Sequence, residues 1–417
     1  MQNSYYNNTF QYNKQNNKSC LPILIMLFLS CSMIEDIVAG VLRAFDGNEA
    51  LSNYVSWLIY GFGFIYISFF LLLKRKFFEM VLLEFIVLIL MLISRFFTPD
   101  IEELISTAFS TLFISNILAF FVGKYALGDK ETFDSILKLV PLYECLAIIY
   151  MVLLFSYPVD NYMNTSYNLL FVSCLCFVKA INDRRILYYV LTFFNVVFIL
   201  AFGASGPLLT IFVTIVLLSF NNLNKGQKVL AILVSILVLS FLLVFYELIL
   251  IRLASLFPNS RTLLKLIEKN QLNSPRFLIW KFSFNKIVES PFAFRGAFGD
   301  RVLLTLENVT NSQLGFWVSE SDMSGLYAHN ILLEIYLQYG VLIGTILIIL
   351  FVKKLLRFIK MIKHEYYGTS AEKIMWVFIC VALVPLLVSN SYLLSFEFWL
   401  LLGLIFSKKT KKQHDKS

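Results

Sequence analysis

Apolar runs close to twenty residues long recur along the chain, each closed by a short polar or basic connection. A helix needs about twenty apolar residues to cross the roughly 30 Å hydrocarbon layer, so the pattern predicts membrane spans. They fall at about 20–41, 51–73, 77–96, 104–122, 136–156, 164–180, 186–202, 206–220, 228–250, 328–352, 374–391 and 394–407. The expected fold class is an all-α polytopic membrane protein of about twelve transmembrane helices. One large outer loop, residues 251–327, separates the ninth span from the tenth. A polar tail (1–19) precedes the spans and a basic tail (408–417) follows them. The first tail is rich in Asn, Gln, Tyr and Lys without apolar periodicity, the composition of a disordered segment. No basic region with a small-residue cleavage site precedes Leu21, so the first span is expected to be retained. Around Asn390–Ser395 the final pair turns so tightly that a re-entrant hairpin is the alternative.

Two stretches depart from the plain span pattern. Inside the long loop, Phe277, Trp280, Phe284 and Ile287 recur at helical spacing, which predicts an amphipathic helix lying on the outer surface. Gly296, Gly299 and Gly315 mark turns after it. In the tenth span, Asn330, Glu334 and Gln338 stand at i, i+4 and i+8 and form one polar stripe. An ionisable group inside a span is costly, which makes Glu334 a functional-site candidate. Its alternative role is a helix–helix contact, and Gly340-xxx-Gly344 is read as close helix packing.

Composition sharpens this picture. The chain of 417 residues is 59% hydrophobic with a mean hydropathy of +0.75, more apolar surface than a water-soluble fold hides. A net charge of +8 could suggest a nucleic-acid partner, but the positions of the basic residues argue against one. With the first tail inside, the inward short loops carry Lys74–Lys76, Lys124, Lys130, Arg184, Arg185 and Lys225, and the outward short loops are nearly free of Lys and Arg. That asymmetry predicts a protein of the inner (cytoplasmic) membrane with both termini cytoplasmic. The six cysteines lie in or beside apolar spans and read as small buried hydrophobes rather than a disulfide framework.

Candidate chemistry gathers on the outer face. Arg252, Arg261, Arg276, Arg295 and Arg301 share one loop beside the membrane, and guanidinium forks suit phosphate oxygens. Pairing with the loop's own acids or with anionic lipid heads is the structural alternative. His329 is one of three histidines and alone stands where the long loop re-enters the membrane. An imidazole there can accept a hydroxyl proton or, charged, orient a phosphate. Glu35, Asp36, Glu247 and Glu397 lie toward the outer ends of their spans, where they line an outer cavity or snorkel to the interface.

The run AHNILLEIYLQYGVLIG (328–344) resembles the His-Asn…Glu…Gly…Gly signature of the O-antigen ligase/polymerase superfamily, which includes the Wzy-type polymerases. Upstream, Arg276, Trp280 and Pro291, with Gly296 or Gly299, are similar to its Arg-x-x-x-Trp…Pro…Gly segment. Where that family often has Ser-Arg-Gly, this chain reads Ser205-Gly206-Pro207, without the arginine. The resemblance implies an inverting glycosyltransferase needing neither metal nor cofactor, with a polyprenyl-pyrophosphate-linked glycan as donor and a second such unit as acceptor. It implies a repeat-unit polymerase of O-antigen or capsule, with membrane lipids, a chain-length regulator and a flippase as partners. A ligase moving finished glycan and, from another class, a lipid-linked glycan flippase are the alternatives. In that scheme Arg276, backed by Arg252, Arg261, Arg295 and Arg301, stabilises the leaving pyrophosphate. His329 is the base or phosphate orienter, Glu334 its support or the alternative base, and Asn330 a substrate contact.

Overall fold

The computed structural model describes residues 21–45, 47–98, 106, 108–125, 127, 130–156, 162–202, 205–222, 275–304 and 327–407. No strand occurs among them. In chain order the helices are α1 (Leu21–Leu29), α2 (Cys31–Ala44), α3 (Asn53–Leu73), α4 (Phe77–Phe97), α5 (Ala108–Tyr125), α6 (Lys130–Ser156) and α7 (Tyr162–Asp183). They continue as α8 (Ile186–Phe202), α9 (Ser205–Asn222), α10 (Pro275–Glu289), α11 (Gly299–Leu303), α12 (Ile331–Glu365), α13 (Ser370–Val388) and α14 (Phe396–Ile405).

Each expected span coincides with a helix except 228–250, which lies outside the described residues. Among the described residues, seven helices are long and apolar enough to cross a membrane, or eight if α1 and α2, bent by 62°, form one broken span. Of the other expected spans, 228–250 lies outside the described residues and three are shorter apolar helices. The ten residues of α14 rise only about 15 Å, half of what a crossing needs. The equally apolar α8 and α9 also fall among the shorter helices.

Burial sorts the bundle into a centre and a lipid-facing rim. α7 and α13 are buried on most sides, with 78% and 72% of their span windows buried, and form the axis of the main core. α9 packs along α13, and α8 along α7. α3 and α4 bury only 17% and 22% and turn Phe62, Ile65, Phe69, Phe85 and Leu92 outward. α14 is locked against α5 through two glycines. A Cβ on Gly403 would collide with the Phe120 carbonyl, and one on Gly123 with the Leu400 carbonyl, so backbone meets backbone.

α10 forms where the sequence pattern places it, but its buried stripe is Ile279, Ser283 and Ile287, with Phe284 and Val288 exposed. The helix docks on α12 beside Leu337 and Ala328, and Phe284 and Val288 stay exposed on its other side.

Candidate functional site

α12 starts at Asn330, whose side-chain Oδ1 accepts from the Leu332 and Leu333 amides at 3.0 and 3.3 Å, a standard cap for the orphan donors of a first turn. Ten residues after Asn330 the helix breaks. Gly340 holds φ 73° and ψ 169°, a region closed to L side chains. The break leaves the Leu337 and Gln338 carbonyls without their intrahelical donors, and the loop after α10 supplies replacements. Arg295 Nη1 donates to the Leu337 carbonyl at 3.2 Å. The Arg295 and Gly296 amides donate to the Gln338 carbonyl at 2.8 and 2.9 Å, and the Val341 amide donates to the Pro291 carbonyl at 2.7 Å. Residues 291–296 thus fill the gap in α12, and Gly340 is there for its backbone rather than for close helix packing. The same loop is fastened to α4, where Thr98 Oγ1 donates to the Arg295 carbonyl at 2.9 Å and the Ala297 amide donates to Ser94 Oγ at 2.7 Å.

The polar stripe of α12 is the floor of the site. Glu334 and Gln338 are fully buried. Glu334 Oε1 accepts from the Ser391 hydroxyl, and Gln338 Oε1 from the Tyr392 hydroxyl. Gln338 Nε2 donates to Asp300 Oδ1 at 2.6 Å, and Asp300, on α11, is itself fully buried. The Ala328 and Tyr392 backbones lie beside the two carboxyl groups. Desolvation raises the Asp300 carboxyl above the ordinary carboxylate range.

Arg301 follows Asp300, and its guanidinium lies 5.2 Å from the Tyr327 ring centre and 5.4 Å from that of Phe298. The Tyr327 ring is in turn 3.9 Å from the His329 ring, so Arg301, Tyr327 and His329 form one stack at the mouth of α12. Phe298 and His329 both adopt positive φ, 64° and 50°, a strain of about 1–3 kcal/mol each that clusters at functional sites.

The Ser389–Ser395 turn between α13 and α14 covers the other side. Tyr327 donates to the Ser389 carbonyl at 2.6 Å, Asn330 Nδ2 to the Leu387 carbonyl at 3.2 Å, and the buried Asn116 Nδ2 to the Leu393 carbonyl at 2.6 Å. Asn116 ends a π-helical turn, Thr111–Asn116, of the kind often found at functional sites. Ser389 also meets the Tyr167 hydroxyl. A Cβ at Gly206 would lie 2.5 Å from Ser389 Oγ and 2.8 Å from the Tyr167 hydroxyl. That crowding accounts for glycine where the resembled motif has arginine.

The structure therefore brings together Arg301, His329, Asn330 and Glu334, and places Arg295 as the strut of the helix break. Arg276 lies in the first turn of α10, where only its backbone is described. Arg252, Arg261 and Glu247 lie outside the described residues. Asp36 belongs to a separate network, accepting from Tyr150 at 2.7 Å and Asn168 at 2.8 Å. Glu35 accepts from Ser56, and Glu397 from Ser395 at 3.0 Å. Asp300, Tyr327, Ser391 and Tyr392 were not singled out by sequence pattern. Asp300 was one acid among several in a long loop, and the other three carry no charge to draw notice.

Apolar helices packed around a buried polar site at one helix mouth support a multi-pass membrane protein. The family model described as O-antigen ligase matches residues 187–349, from the start of α8 through the broken helix α12. This match supports the O-antigen ligase/polymerase superfamily, in agreement with the motifs around His329 and Arg276. No curated protein and no solved structure matches the chain.

Proposed function

We propose that the chain is an inverting glycosyltransferase that joins polyprenyl-pyrophosphate-linked repeat units into a surface polysaccharide on the outer face of the cytoplasmic membrane. The observation that carries this reading is the O-antigen ligase match, which ends on the helix whose mouth gathers Arg301, His329 and Glu334. An acceptor hydroxyl attacks the anomeric carbon of the donor sugar, a C–O bond forms, and the bond to the lipid pyrophosphate breaks. Negative charge grows on the leaving pyrophosphate, and a guanidinium already in place lowers that barrier without reorganising. Arg301, beside Tyr327 and His329, takes this role, with Arg276 as the second donor. His329 takes the hydroxyl proton or orients the phosphate. Glu334, sealed against Ser391, supports the mouth of the helix from beneath.

The description of the matched family favours one second reading, transfer of a finished glycan onto a lipid core or a protein. Purified protein incubated with a polyprenyl-pyrophosphate repeat unit and EDTA decides among these. A ladder of longer lipid-linked glycans is expected. A ladder appearing only with magnesium refutes the metal-free step, and transfer only to a different acceptor favours the ligase. Movement of the lipid-linked unit across vesicles without any ladder favours a flippase.

A further inference from the structure

α11 has five residues, too few to persist by its own hydrogen bonds. The segment before it is held by backbone, through the Ala297 amide on Ser94 and the Gly296 amide on the Gln338 carbonyl. The helix proper is tied to α12 by a side chain, the fully buried Asp300 on Gln338 at 2.6 Å. Gln338 is fixed in turn by Tyr392. Arg301 comes one residue later. Its Nε is buried with no hydrogen-bond partner among the described residues, and its guanidinium rests on the Phe298 and Tyr327 rings. Ring contacts are broad in direction, so the place of that guanidinium is set chiefly by where α11 sits.

We propose that Asp300 is a positioning residue: its bond to Gln338 holds α11 on α12 and so aims the Arg301 guanidinium beside Tyr327 and His329 for the leaving pyrophosphate. Only the activity part of this assignment rests on the glycosyl-transfer reading. Displacing a group that stabilises a transition state by about 1 Å can cost about 10²-fold in rate, which is the scale at stake. Asp300→Asn keeps an oxygen that accepts from Gln338 Nε2. Asp300→Ala removes the tether.

The test uses the full chain in detergent, with wild type, Asp300→Ala, Asp300→Asn, Arg301→Ala and the Asp300→Ala/Arg301→Ala pair. Hydrogen exchange of residues 299–304 reads the tether without substrate, and ladder formation reads its consequence. Asp300→Ala should speed exchange about tenfold or more, the loss expected for one buried hydrogen bond. It should slow the ladder about 10- to 100-fold, and Asp300→Asn should restore both. In the Arg301→Ala background, Asp300→Ala should cost less than about twofold, because residues acting through one another are not additive. Unchanged exchange in Asp300→Ala, failure of Asp300→Asn to restore, or an undiminished cost in the Arg301→Ala background overturns the assignment. Absence of a ladder from the wild-type chain refutes the glycosyl-transfer reading instead, and exchange then decides the tether alone. Gln338→Met cuts the same bond from the other side and replaces Asp300→Ala if that variant does not fold.

Discussion

Gly340→Ala is the sharpest test of the broken helix. At φ 73° and ψ 169° an L residue carries strain of about 1–3 kcal/mol. The new Cβ would also stand 3.1 Å from the Pro291 carbonyl oxygen, which is held by the Val341 amide, and 3.2 Å from that of Ala293, both backbone atoms. If α12 escapes the strain by closing into a continuous helix, it must expel residues 291–296. It then loses the four hydrogen bonds that the loop makes to Leu337, Gln338 and Val341. Each such bond contributes about 1 kcal/mol net, and helical bonds recover about half of them. Either route costs about 2–4 kcal/mol, and the second also displaces α11. Gly344→Ala is the control. Gly344 is helical, and its Cβ would meet the Tyr336 ring at 2.7 Å, a side chain rather than pinned backbone, so the expected cost is about 1 kcal/mol. Thermal unfolding in detergent, with ladder formation normalised to protein, measures both. Equal stability and activity of the two variants would refute the filled break and restore simple close packing of both glycines.

Four further outcomes are expected. His329→Ala should slow polymerisation about 10²–10⁴-fold and flatten the acid limb of the pH–rate profile, and near-normal ladders from His329→Gln would remove it from the chemistry. Arg276→Lys keeps the charge but loses the fork, so a loss of about 10²–10³ in rate is expected, and wild-type ladders would exclude it as a pyrophosphate donor. The raised Asp300 carboxyl binds its proton more tightly when folded. Its contribution to stability is complete below about pH 3.9 and is lost as pH rises through the folded value. Unfolding followed between pH 4 and 8 should therefore show a downward slope that Asp300→Asn reduces, and identical slopes would refute the shift. For topology, a cysteine at the exposed Phe292 should be labelled in intact cells and one at the exposed Tyr367 only after permeabilisation, and the reverse pattern would invert the proposed orientation.

The sequence alone determined the all-helical membrane character, because apolar runs of span length and basic connections are local properties of the chain. It also located the polar stripe of Asn330, Glu334 and Gln338, since a period of 3.6 needs no knowledge of the neighbours. His329 stood out by rarity and position. What lay beyond it were features that need two distant segments at once. A glycine that breaks a helix and a glycine that packs one look alike in sequence, and only the loop carbonyls of Pro291 and Ala293 reveal Gly340 as the former. The face of α10 that meets the rest of the protein was decided by what it docks against, and runs through Ile279 and Ser283. Where each described helix ends was also set by its partners, as the short α14 shows against Gly123. Asp300 became part of the site because burial joined it to Gln338 across a long stretch of chain. Composition and spacing carry local conformation and polarity, but which carbonyl is left open and which charge is sealed from water are settled by the partner that tertiary packing brings to it.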